Sequence, residues 1–125
     1  MAKKILVVDD EPGMVRLLRD ILEDEGYAVI EASNGEECLE KAAKKIPDLI
    51  LLDVMLTGPS GLSICKRLKD NAVTKDIPII LVTALLGEGI QEKGAESGAA
   101  YVISKPYDSN DLLWEIEDAI KKSKV

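Results

Sequence analysis

The sequence predicts an α/β protein: an open, doubly wound, five-stranded parallel sheet with helices on both faces. Three observations lead there. Five short aliphatic runs alternate with five stretches of helical periodicity along 125 residues, which is the pattern of a parallel sheet covered by helices. The run Leu49-Ile50-Leu51-Leu52 is apolar on both faces and is bounded by Pro47 before and by Gly58 and Pro59 after, as suits a strand buried on two sides. That run ends in Asp53, and Ile5-Leu6-Val7-Val8 likewise runs into Asp9-Asp10-Glu11. Two strands thus deliver carboxylates to one edge of one sheet, the edge where open α/β sheets bind ligands.

The elements follow in order. Lys4 to Val8 is the first strand. Met14 to Glu25 is a helix with Met14, Leu18, Ile21 and Leu22 on one face, closed by Gly26. Tyr27 to Glu31 is a short strand. Asn34 and Glu37 form a capping-box pattern for the next helix, whose apolar face is Leu39, Ala42, Ala43 and Ile46 and which Pro47 ends. After the third strand, a loop holding Thr57, Gly58 and Pro59 leads to a helix from about Ser60 to Asp70, lined by Leu62, Cys65 and Leu68. Asn71 to Ile77 is a polar connection, and Ile79 to Thr83 is the fourth strand. Leu85 to Gly98 is read as a helix weakened by interior glycines, each costing about 1 kcal/mol relative to alanine. It should therefore move more easily than its neighbours. Tyr101 to Ser104 is the fifth strand. The last helix runs from Ser109 to about Lys122 on a stripe of Leu112, Leu113, Ile116 and Ile120, with Asp111 early and Lys121, Lys122 and Lys124 late, matching the helix dipole. The elements use up residues 1–125, so a single domain is expected.

Charge and composition exclude several functions. The net charge is −7, whereas a phosphate-backbone binder needs a basic footprint, so direct DNA or RNA binding is not expected. No long uncharged apolar run offers a transmembrane helix, and no polybasic amphipathic segment offers a membrane surface. The N-terminus enters a strand pattern directly, without the apolar region and cleavage site of a secretion signal, which points to the cytoplasm. Cys38 and Cys65 are the only cysteines and histidine is absent. Two isolated thiols without histidine make a poor zinc site and are read as small buried apolar side chains. The missing histidine also removes the commonest general base.

The chemistry gathers at the carboxyl ends of the strands. Strand one brings Asp9, Asp10 and Glu11; strand three Asp53; strand four Thr83; strand five Lys105. Each alone has a commonplace explanation, such as complementing a helix N-terminus or lying in solvent. Their joint placement on four strand ends points to a site. Crowded carboxylates repel, and a hard cation such as Mg²⁺ offsets that, taking a few carboxylates and completing its shell with water or phosphate oxygens. The same cation withdraws charge from a phosphoryl group under attack by a carboxylate. Lys105 can pair with a carboxylate or with phosphoryl oxygens, and Thr83 can donate to another oxygen. The set suits formation of an aspartyl phosphate.

These residues carry a resemblance. Ile5-Leu6-Val7-Val8-Asp9-Asp10-Glu11, Asp48-Leu49-Ile50-Leu51-Leu52-Asp53-Val54-Met55, Pro78-Ile79-Ile80-Leu81-Val82-Thr83-Ala84 and Lys105-Pro106, in that order and spacing, resemble a response-regulator receiver domain of the two-component family. The resemblance implies the flavodoxin-like (βα)5 fold with strand order 2-1-3-4-5. It implies that Asp53 accepts a phosphoryl group from a sensor histidine kinase or histidine phosphotransfer protein. It implies Mg²⁺ held by Asp10, Asp9, Asp53 and the backbone carbonyl of Met55, with Thr83 and Lys105 on the phosphoryl group and a cis bond at Lys105-Pro106. The expected output is altered binding to a downstream protein, an attached output domain or a second copy, through the fourth helix, fifth strand and last helix. The domain would be a signalling phosphoacceptor that catalyses only its own phosphorylation and dephosphorylation. Met55 and Leu85, both apolar, flank the acceptor in such domains and cannot orient water, so the phosphorylated state should last.

Two positions depart from the family pattern. Thr57 stands where relatives often carry proline, which predicts a looser loop. Val102 stands three residues before the lysine, where an aromatic residue is usual, and Tyr101 lies one residue earlier. On a strand that shift puts Tyr101 on the opposite face. Two other classes compete with the receiver. A small phosphatase with an aspartate nucleophile would want a second aspartate two residues on, where Glu11 stands. A flavin or nucleotide carrier would want a glycine- or hydroxyl-rich phosphate loop where Asp9-Asp10-Glu11 stands.

Overall fold

The computed structural model describes residues 2–84 and 89–123. Among them five strands alternate with five helices: β1 (Lys4–Val8), α1 (Pro12–Asp24), β2 (Ala28–Ala32), α2 (Gly35–Lys45), β3 (Leu49–Asp53), α3 (Gly61–Lys69), β4 (Ile79–Thr83), α4 (Ile90–Glu96), β5 (Tyr101–Ser104) and α5 (Ser109–Ser123). All strand pairs are parallel, in the order β2-β1-β3-β4-β5. The sheet thus has the predicted order. Its centre is the predicted apolar run, since every residue of β3 and β4 is buried.

Alternation along the strands divides the core. Leu6, Val8, Ile50, Leu52, Ile79 and Leu81 pack with Cys38 and Ala42 of α2 and with Ile64, Cys65 and Leu68 of α3. Ile5, Val7, Leu49, Leu51, Ile80 and Val82 pack with Leu18 and Leu22 of α1 and with Leu112, Ile116 and Ile120 of α5. Both thiols are buried, and burial pushes the Cys38 thiol up to about 12. They are packing residues, as expected. Tyr101 joins the α1/α5 layer and Val102 the α2/α3 layer, so the two neighbours face opposite sides of the sheet as the strand period requires. The Tyr101 hydroxyl donates to Asp118 of α5.

Helix ends follow local chemistry with several shifts from expectation. Pro12 opens α1, two residues before the predicted start, where its missing N–H costs nothing. Gly26 closes α1 at φ +91°. Asn34 Oδ1 accepts from Glu37 N at 2.9 Å, but Glu37 Oε1 returns to Ser33 N at 2.6 Å, one residue upstream of the expected partner. The buried face of α2 is Cys38 and Ala42, with Leu39 half-buried; Ala43 and Ile46 are exposed. Ile46 leaves the helix at φ +44° as its cap, which turns its side chain off the stripe. On α3, Ile64 joins Cys65 and Leu68 in the core while Leu62 is half-buried.

Of the predicted helix over 85–98, the described residues show α4 over Ile90–Glu96, with Gly89 in the left-handed region at its N-cap and Ser97 at its C-cap; residues 85–88 lie outside the described part. Gly94 presses α4 onto the sheet. A Cβ there would lie 2.2 Å from Val102 Cγ2 and 3.4 Å from Leu81 Cδ1. The late lysines of α5 pair with acids one turn back, Lys121 with Glu117 and Lys122 with Asp118, each at 3.1 Å. Lys124 lies outside the described residues.

Candidate functional site

In this strand order the chain adds β2 on one side of β1 and β3 to β5 on the other, and the crevice beyond the ends of β1 and β3 is the switch point of the sheet. The register pairs Val8 with Leu52, so the next residues, Asp9 and Asp53, leave adjacent strands side by side. The ladder continues past the strand ends: Asp9 N donates to Ala32 O at 3.1 Å and Val54 N to Val82 O at 3.0 Å. Both acidic residues therefore stand on paired backbone. Carboxylate oxygens of Asp9, Asp10 and Asp53 all lie within 4.8 Å of one another. Asp9 is 4% and Asp53 7% exposed, while Asp10 faces solvent.

Lys105 reaches into this cluster from β5. Its Nζ lies 3.3 Å from Asp9 Oδ2 and 3.4 Å from Asp53 Oδ2. Burial alone would lower its pKa, but the Asp53 and Asp9 carboxylates outweigh that and hold it above the ordinary lysine value. The ammonium therefore stays charged through neutral pH, and its contribution to stability is lost only as pH rises above the ordinary lysine range. Lys105 N donates to Thr83 O at 2.8 Å, and the Lys105-Pro106 bond is cis. Thr83 is 0% exposed at the end of β4, opposite Ser104 in register. The backbones at the two strand ends carrying the hydroxyl and the ammonium are thus bonded to each other.

The remaining bonds shape the loops. Asp9 Oδ1 accepts from Glu11 N at 2.9 Å, and Asp53 Oδ1 accepts from Met55 N at 3.0 Å. Glu11 is exposed and serves as the N-cap position of α1, outside the carboxylate cluster. Met55 points outward, 54% exposed. Thr57 donates to Asp10 Oδ2 twice, from N at 3.1 Å and from Oγ1 at 2.8 Å. These bonds, the hydroxyl's first, hold the Asp10 carboxyl below the usual carboxylate range. The expectation of a looser loop is therefore corrected: the residue standing in place of proline ties the loop to β1's carboxylate. Sequence reading missed this pair because its members are 47 residues apart. Tyr107 was also missed. Its hydroxyl is buried without a hydrogen-bond partner among the described residues, burial raises its pKa, and the charges of Lys105 and Asp9 also act on it.

Oxygen donors alone, at this spacing, fit a hard cation of the Mg²⁺ type better than a thiophilic one.

A doubly wound α/β fold with an acidic cluster and a lysine at its switch point defines the class. The response regulator receiver domain family matches residues 5–117, and the chain belongs to that family of two-component signalling proteins. It is similar to the response regulator PleD of Caulobacter vibrioides, 47% identical over 108 residues, which cover 86% of this chain and 24% of PleD. It is similar to the alkaline phosphatase synthesis transcriptional regulatory protein PhoP of Bacillus subtilis, 42% identical over 125 residues, all of this chain and 51% of PhoP. The chain thus spans about a quarter and about half of these two curated relatives. The crystal structure of a CheY-like response regulator receiver domain protein from Methanospirillum hungatei superposes with a TM-score of 0.92 at 27% identity, covering 99% of this chain and 98% of that one. The family assignment leaves the small-phosphatase and flavin-carrier readings without support.

Proposed function

We propose that Asp53 is the phosphoacceptor of this receiver domain and that Asp9, Asp10, Asp53 and the Met55 carbonyl hold Mg²⁺. The observation that carries the reading is the meeting of three carboxylates within 4.8 Å with Lys105 bridging two of them. When bound, the cation supplies charge neutralisation for the transferring phosphoryl group. An Asp53 carboxylate oxygen forms the new bond to phosphorus as the bond to the donor's imidazole nitrogen breaks, and the imidazole leaves with that electron pair. Lys105 turns from Asp53 to the phosphoryl oxygens, and Thr83 donates to another of them. The donor is a phosphohistidine on a sensor kinase or phosphotransfer protein in the cytoplasm. No helix of the described residues is long and apolar enough to cross a membrane.

Residues 1–125 act as one module. Drawing Thr83 and Lys105 inward biases a two-state equilibrium at the face of α4, β5 and α5. Output is binding of a downstream protein, an attached domain or a second copy. α4, with its short span and glycine contact on Val102, is the element that yields.

Incubation with a small phosphodonor should add one phosphoryl group by intact mass in Mg²⁺ and none in chelator. Equal uptake in both conditions, or uptake in neither, overturns the assignment. Once formed, the phosphorylated state should decay over minutes rather than seconds after donor removal, since Met55 offers no group to hold an attacking water. The second flanking position, Leu85, lies outside the described residues. A half-life of seconds counts against that expectation.

A further inference from the structure

Asp10 differs from the other two carboxylates of the cluster. Asp9 and Asp53 are buried, and each pairs with Lys105. Asp10 is exposed, and both bonds from Thr57 end on its Oδ2. An exposed carboxylate next to two like charges gains by rotating away into water. Thr57 opposes that rotation most strongly, through a backbone N–H and a hydroxyl that meet one oxygen from one residue; Asp10's own backbone N–H and the charge of Lys105 add less.

We propose that Thr57 is a positioning residue for the metal site: it clamps Asp10 by Oδ2 and leaves Oδ1 to serve as the cation ligand, so the three-carboxylate spacing exists before metal arrives. The inference rests on the assignment of Asp10 as a metal ligand made above. The geometry is that of an outer partner orienting a ligand by its second oxygen, and loss of such partners commonly weakens metal binding by about 10–100-fold. Both donors matter. Proline at this position would supply neither, having no N–H and no hydroxyl. Valine, of nearly the same shape as threonine, would remove the hydroxyl alone. Serine would keep both.

Thr57 also spans two elements. It closes the loop after β3 onto the end of β1, so holding Asp10 and setting the loop that carries Met55 are one act. A cation drawing Asp10 inward would draw that loop with it.

The test is calorimetric titration of the intact protein with MgCl₂, with the urea midpoint in chelator as a separate readout. Thr57→Val should weaken Mg²⁺ binding by about tenfold, the low end of the range because Asp10 is exposed. Thr57→Pro should weaken it further, and Thr57→Ser should retain most of the affinity. The urea midpoint of Thr57→Val in chelator should stay near wild type. Unchanged or tighter binding by Thr57→Val and Thr57→Pro, in a protein whose Asp10→Asn variant loses affinity, overturns the clamp and leaves the metal site standing. A wild-type protein that takes up no Mg²⁺ overturns the metal assignment itself and the clamp with it.

Discussion

Asp53→Ala is expected to abolish Mg²⁺-dependent labelling by a small phosphodonor, leaving no more label than wild type shows in chelator. The expectation is sharp because two other carboxylates are close enough to substitute, all three lying within 4.8 Å. Their surroundings argue that they do not. Asp9 stays paired with Lys105 at 3.3 Å, and Asp10 is held by two bonds from Thr57. Asp53 accepts from Met55 N through Oδ1 and from Lys105 through Oδ2, so donors are already in place on the proposed phosphoacceptor. Retained labelling in the variant would reassign the acceptor to Asp9 or Asp10. The fold should survive the change. Removing one of three like charges relieves repulsion, and Lys105 keeps a partner, so stability in chelator should be at least that of wild type. A large fall in the urea midpoint would show that Asp53 is mainly a structural partner of Lys105.

Gly61→Ala should be the most damaging single methyl that can be added near the site. A Cβ at Gly61 would lie 2.1 Å from Asp53 O, 2.8 Å from Asp53 C and 2.8 Å from Val54 Cα. All three are backbone atoms, so no rotamer change gives relief. Gly61 N also donates to Val54 O at 2.9 Å, fixing α3 against the end of β3. Either the helix start or the Asp53 backbone must move. We expect a loss of about 3 kcal/mol, the upper end for overpacking, which lowers the urea midpoint by roughly 1.5 M at an ordinary denaturant slope. Phosphoryl acceptance should fall as well, because the displaced atoms carry Asp53. Gly13→Ala is the control. Nothing lies within 4 Å of a Cβ there, so the variant should be neutral or gain up to about 1 kcal/mol from helix propensity. Equal stability of Gly61→Ala and wild type would mean that the helix and strand can slide apart at no cost.

Much of the molecule could be read in advance. Strands β3 and β4 were legible because a strand buried on both faces admits only aliphatics, and the apolar run stops where the sheet does. The carboxylates and Lys105 were legible because the carboxyl ends of parallel strands all lie on one rim. Opposite placement of Tyr101 and Val102 followed from the two-residue period of a strand. Errors fell where neighbours override local pattern. Ile46 looked like the end of an apolar stripe, yet the residue before Pro47 is pushed out of helical conformation and turns it to solvent. Ser33 took the Glu37 bond expected at Asn34. Among the described residues α4 begins only at Ile90, because Gly89 sits in the left-handed region, which an α-helix does not pass through.

Sequence alone determined the alternation of elements, the burial of the central strands and the rim on which acids and lysine gather. Each of these depends on periodicity and on which side chains water rejects. Tertiary structure alone decided which oxygen meets which donor: Lys105 across Asp9 and Asp53, and Thr57 on Asp10. Those contacts join residues that are dozens of positions apart in the chain, and only the register of β1, β3, β4 and β5 sets the distances between them.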